Sequence, residues 1–102
     1  MTPRTPPSRT GINIAFLAGI VHQVFSPSIA WARIRIELCA VNGESISLKI
    51  IVREKVLRLL PCEVTALPGR FVSVQGHLRP ARNSQQGHLE LIASHLEVLP
   101  DE

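Results

Sequence analysis

Trp31, Arg33 and Arg35 occupy alternate positions in Ala30-Trp31-Ala32-Arg33-Ile34-Arg35-Ile36-Glu37-Leu38, with small or apolar residues between them. Successive side chains of a β-strand point to opposite faces. One face of this segment is therefore apolar, and the other carries the chain's single tryptophan beside two guanidinium groups. The chemistry open to such a row is non-covalent: a ring stacks on a nucleobase, and arginines pair with phosphates. The plainer alternative is a tryptophan packed under a loop or at a subunit contact.

Further cations fall where they could extend that row. Lys49, Arg53 and Lys55 lie on and just beyond the next strand candidate, and Arg79 and Arg82 flank a polar loop containing Asn83-Ser84-Gln85-Gln86. Each could equally be a solvated surface charge. Little else points to chemistry. His22, His77, His88 and His95 are scattered, with no metal-ligand spacing to Cys, Asp or Glu. There is no glycine-rich phosphate loop, no local nucleophile arrangement and no evident carboxylate pair. The reading is a binding protein rather than an enzyme, with no cofactor and no metal.

The elements that must position these residues follow from periodicity and turn chemistry. A first strand is predicted over Ile12 to Val24. Ile12, Ile14 and Phe16 alternate with Asn13 and Ala15, Phe16 is a core candidate, and Gly19 marks a bend. Phe25-Ser26-Pro27-Ser28 reads as a turn. The second strand runs from Ile29 to about Val41, and Asn42-Gly43 signals a hairpin into a third strand, Ser45 to Val52. There Ile46, Leu48, Ile50 and Val52 share one face, and Ile51 falls on the outer one. Glu54 to Leu60 can make about two helical turns before Pro61 stops them. After the Pro68-Gly69 turn, a fourth strand covers Arg70 to Leu78, with Gly76 as a second bend. A fifth covers His88 to Leu99, with Leu89, Leu91, Ala93 and Val98 towards the core. Five strands with one short helix between the third and fourth is the element order of the OB-fold, an all-β, five-stranded Greek-key barrel whose second and third strands bind oligomers.

Composition sets the outer limits. A chain of 102 residues, 45% of them hydrophobic, suits one globular domain, here residues 11–99. Residues 1–10, with three prolines and four Ser/Thr, are expected to form a disordered arm, and residues 100–102 a short end. The net charge is +3 and remains so without Arg4, Arg9, Asp101 and Glu102; nine of the eleven cations are arginine. Cys39 and Cys62 lack CxxC spacing, which suggests reduced thiols and a cytoplasmic setting. No apolar run is long enough for a membrane span.

Three segments carry a family resemblance. Asn13-Ile-Ala-Phe-Leu-Ala-Gly-Ile-Val21 resembles the opening strand of bacterial single-stranded DNA-binding proteins. Leu67-Pro-Gly-Arg-Phe-Val-Ser-Val-Gln-Gly-His-Leu-Arg79 resembles their fourth strand, and His88-Leu-Glu-Leu-Ile-Ala-Ser-His-Leu-Glu-Val-Leu99 their last. In size the chain is most similar to the compact primosomal replication protein N branch, with Ser26-Pro27-Ser28 and Gly69 to Gly76 supporting that choice. The resemblance implies an OB-fold, homodimers or homotetramers, sequence-tolerant binding of single-stranded DNA, and replication proteins as partners. Two departures stand against it. The ring-bearing positions of strand three in the larger relatives read Ser47, Leu48 and Arg53 here, and the chain ends at Leu99-Pro-Asp-Glu102 without a long acidic tail. Recruitment of partners through such a tail is therefore not expected. The alternatives are an OB-fold scaffold with weak or lost nucleic-acid binding, which an exposed Ile51 would favour, and an RNA-binding OB module.

Overall fold

The computed structural model describes residues 12–39, 41–81 and 88–100. Five strands are present: β1 (Ala15–Ser28), β2 (Trp31–Cys39), β3 (Ser45–Arg53), β4 (Phe71–Pro80) and β5 (Leu89–Val98). One helical turn, α1 (Glu54–Leu57), and a 3₁₀ turn, Val64–Ala66, connect β3 to β4. The strands close into a barrel in the order β1-β2-β3-β5-β4, all antiparallel except for a short parallel contact of β3 residues 49–51 with β5 residues 90–92. This is the all-β barrel that the element order predicts.

The alternation along β2 sets the core. Ala32, Ile34 and Ile36 point inward and are fully buried, and Ile50 and Val52 of β3 meet them in register. Val21, Leu67, Val72, Val74, Leu91 and Ala93 complete the interior, and Val56 of α1 joins it. Burying such a side chain contributes about 1.5–3 kcal/mol relative to leaving it in water. The α1 turn is tied to the β1–β2 connection by the Glu54 amide, which donates to the Ala30 carbonyl at 2.8 Å. The amide of Gly69 donates to the Val21 carbonyl at 2.8 Å, which fixes the entry into β4.

Both strand glycines predicted as bends sit where backbones approach closely. A Cβ on Gly19 would lie 2.5 Å from the Glu37 carbonyl oxygen, and one on Gly76 would lie 2.0 Å from that of Ile92. Gly76 also adjoins the irregularity in the β4–β5 pairing, where Gln75 faces His95 and Gly76 faces Ala93. Asn13 extends the β1–β4 ladder with its side chain: its Nδ2 donates to the Leu78 carbonyl (2.7 Å), and its Oδ1 accepts from the Leu78 amide (2.8 Å).

Several local expectations need correction. Phe25 to Ser28 is not a turn but the last part of β1; the chain reverses at Ile29–Ala30. Phe16 is not core but 73% exposed, and Ile12 and Ile14 are exposed with it. The inward residues of this half-strand are Ala15, Leu17 and Val21, because Gly19 on their face leaves room for β2 to press close. Leu89 is exposed at the start of β5. The helix stops at Leu57, three residues before the predicted end. The expected N-terminal arm and the Asn83 to Gln86 loop lie outside the described residues.

Candidate nucleic-acid interface

The outer faces of β1, β2 and β3 form one surface, and its rows follow from the register. Phe25 of β1 pairs with Arg33 of β2, which pairs with Ile51 of β3. In the next row Gln23 pairs with Arg35, which pairs with Lys49. At the end of the surface Trp31 pairs with Arg53. Arg35 and Lys49 are like charges placed directly opposite, an arrangement that is destabilising unless an anion lies between them. Among the described residues, no ion pair engages Arg33, Arg35, Lys49 or Arg53.

Phe25 is the residue that sequence reading missed. Its ring meets Trp31 edge to face, with centroids 6.0 Å apart and planes at 66°. The Arg33 guanidinium carbon lies 4.8 Å from the centre of the same ring. Edge-to-face pairs contribute about 0.5–1.5 kcal/mol beyond their buried area, and an exposed cation–π contact contributes about 0.5–1 kcal/mol. The two rings and the guanidinium thus order one another. Phe25 keeps 49% of its surface exposed, so the cluster still presents an aromatic face to solvent.

A β-bulge puts Phe25 there. Before the pairing irregularity between Val21 and Gln23, the odd residues of β1 face inward; after it, Val24 faces inward opposite Ile34. One extra residue reverses the parity and turns Phe25 outward. The nearest sequence signal was the bend read at Gly19, just before the irregularity between Val21 and Gln23.

Two depressions cross this surface. One, of about 500 Å³, is lined by His22, Phe25, Arg33, Arg35 and Lys49, with Gln23, Val24 and Pro68 completing it. The other, of about 360 Å³, is lined by Trp31, Arg33, Lys49, Ile51, Arg53, Arg79 and Glu90. They share Arg33 and Lys49. Arg79 differs from its neighbours: its Nε donates to Glu90 Oε1 at 2.7 Å, and Glu90 is 4% exposed. Lys55 is exposed on α1 and lines neither depression. Arg82 lies outside the described residues. Ile51, read as outward, is half-buried between Arg33 and Ile92.

The described residues contain no cluster of three or more His, Cys, Asp or Glu able to hold a metal. Cys39 and Cys62 are not bonded to each other. No described helix is long and apolar enough to cross a membrane.

No protein-family model matches the sequence, and no curated protein matches it either. Solved structures do match. The dimeric N-terminal domain of PriB from Thermoanaerobacter tencongensis superposes with a TM-score of 0.64 at 18% identity, covering 87% of this chain and 98% of its own. The mitochondrial single-stranded DNA binding protein Rim1 from S. cerevisiae gives a TM-score of 0.63 at 14% identity, covering 90% of this chain and 99% of its own. The chain has an OB-fold. In OB-folds the surface of the second and third strands carries the oligomeric ligand, and here that surface holds Trp31, Arg33, Arg35, Lys49 and Arg53.

Proposed function

We propose that this OB-fold protein binds single-stranded DNA without sequence preference, through the outer face of β2 and β3 and the end of β1. The observation that carries the reading is the meeting of the two depressions at Arg33 and Lys49, which makes a cationic track edged by Phe25 and Trp31. Arg35, Arg33, Lys49 and Arg53 neutralise successive phosphates, and the exposed Phe25 ring and the half-buried Trp31 ring stack bases. The Rim1 likeness supports this assignment at the level of fold. The protein acts by binding, not catalysis, in a reduced cytoplasmic setting and in the service of replication proteins.

The same reading makes the protein a homodimer. Ile14, Phe16, Ile20 and Phe71 are exposed on the outer face of β1 and β4, away from the cationic track. Phe16 pairs with Gln75 and Ala18 with Ser73, while Ile20 pairs with Phe71 on one side and with Glu37 of β2 on the other, so the strip is apolar with one acidic residue at its edge. An apolar strip of this kind suits the self-complementary contact of a two-fold dimer, and the PriB domain with the same fold is dimeric.

The test is a titration of labelled dT oligomers at several salt concentrations, with duplex DNA and RNA in parallel. If each subunit neutralises three or four phosphates, log affinity falls against log salt with a slope of roughly −2 to −3. Absence of binding at low salt overturns the proposal, and tighter binding to RNA than to dT redirects it.

A further inference from the structure

We infer that Glu90 is a built-in counter-charge that holds Arg79 away from the nucleic acid and so limits the affinity of the face. The inference rests on the single-stranded DNA reading above.

Glu90 sits within the cationic surface rather than beside it. In register it lies between Lys49 of β3 and Arg79 of β4, in the row that begins with Gln23, Arg35 and Lys49. The side chain is almost wholly removed from water. A desolvated carboxylate interacts strongly with nearby cations because little solvent screens it. Arg79 supplies its partner at 2.7 Å while remaining about one-third exposed at the rim of the smaller depression. Moving Arg79 onto a phosphate would leave Glu90 buried without its partner, which is strongly unfavourable. A phosphate arriving at Arg79 therefore finds a carboxylate already seated there. Among the described residues, Arg33, Arg35 and Arg53 have no such competitor. The pair contributes almost no net charge to the track, although its arginine stands on the rim.

Glu90→Gln tests this directly. Glutamine keeps the shape and an acceptor oxygen for the Arg79 Nε but removes the charge. The expected result is binding of a dT oligomer about two- to fivefold tighter, the size of one exposed ion pair. The salt slope should steepen by roughly 0.7, the increment for one more phosphate on a single strand. Glu63→Gln, the same charge change at an exposed position in the β3–β4 connection, should leave both values unchanged. Equal or weaker binding by Glu90→Gln, or an equal gain from Glu63→Gln, overturns the inference. Should Glu90→Gln not fold, the apolar replacement of both partners, Arg79→Met with Glu90→Met, decides instead, since paired replacement of a buried ion pair is commonly tolerated. Binding within about twofold of wild type is then expected, and a tenfold loss shows that Arg79 does contact the strand. Wild-type protein that binds no strand overturns the function reading itself; wild-type binding with no gain in Glu90→Gln overturns only the role of Glu90.

Discussion

β1 runs beneath two outer surfaces that share one barrel and differ in nearly every other respect. In its first half Phe16, Ala18 and Ile20 face outward and lie, with Ile14 just before the strand and Phe71 of β4, on an apolar strip whose edge towards β2 is Glu37, opposite Ile20. From Gln23 to Phe25 its outward residues join Arg33 and Arg35 on the cationic track. Both surfaces expose phenylalanine, so an exposed ring does not by itself define a ligand. What separates them is the cross-strand partner. Phe16 faces Gln75, whereas Phe25 faces Arg33 and carries its guanidinium. A ring among neutral neighbours suits a dry contact between subunits; a ring among guanidinium groups suits a polyanion whose bases also stack.

The sharpest way to break this contrast is to reverse the charge of the track. Arg33→Glu with Arg35→Glu changes four units of charge per subunit and should weaken dT binding about a thousandfold at low salt, at roughly one exposed ion pair per unit. Circular dichroism should show the barrel intact, because both side chains lie outside the core. If binding survives, the nucleic acid does not lie on this face.

The next largest effect concerns the strip. Phe16→Glu with Ile20→Glu places four glutamates in a two-fold contact, with the second substitution opposite Glu37, and the dimer dissociation constant should rise by on the order of a hundredfold, as expected for burying unpaired charge. Sedimentation should report a monomer that still binds dT. Unchanged association would show that the subunits meet elsewhere.

The smallest effects separate the two rings of the track. Trp31→Ala should weaken binding about tenfold, within the 1–3 kcal/mol assigned to a base stacked on a ring. Phe25→Leu, which keeps bulk but removes the ring face, should weaken it about threefold by releasing Arg33 and Trp31 from their ordered positions. Trp31 fluorescence should fall on binding in the wild type. An unchanged signal at saturation would exclude stacking at that ring.

Much of this was legible from residue types alone. The alternation around Ile34 and Ile36, the Asn42-Gly43 reversal and the two strand glycines specify local geometry through short-range sterics and pleating. The chain therefore reads as a five-stranded barrel with arginines on the outside of β2. Phe25 was misread as part of a turn because Pro27 and the flanking serines are turn-forming residues. The bulge that turns it outward depends on how β1 pairs with β2. Phe16 was misread for the opposite reason: it lies in a hydrophobic run, but the small residues Ala15 and Gly19 take the inward positions.

The sequence by itself determined the strand count, the apolar and cationic sides of β2, and the absence of rings on β3. Each of these depends on neighbours along the chain. Only the tertiary structure decided that Phe25 completes an aromatic pair with Trp31, that Arg79 is held by a buried Glu90, and that β1 serves two surfaces. Those outcomes depend on register between strands, from Phe25 against Arg33 to Phe16 against Gln75, where one bulged residue reverses the faces of everything that follows it.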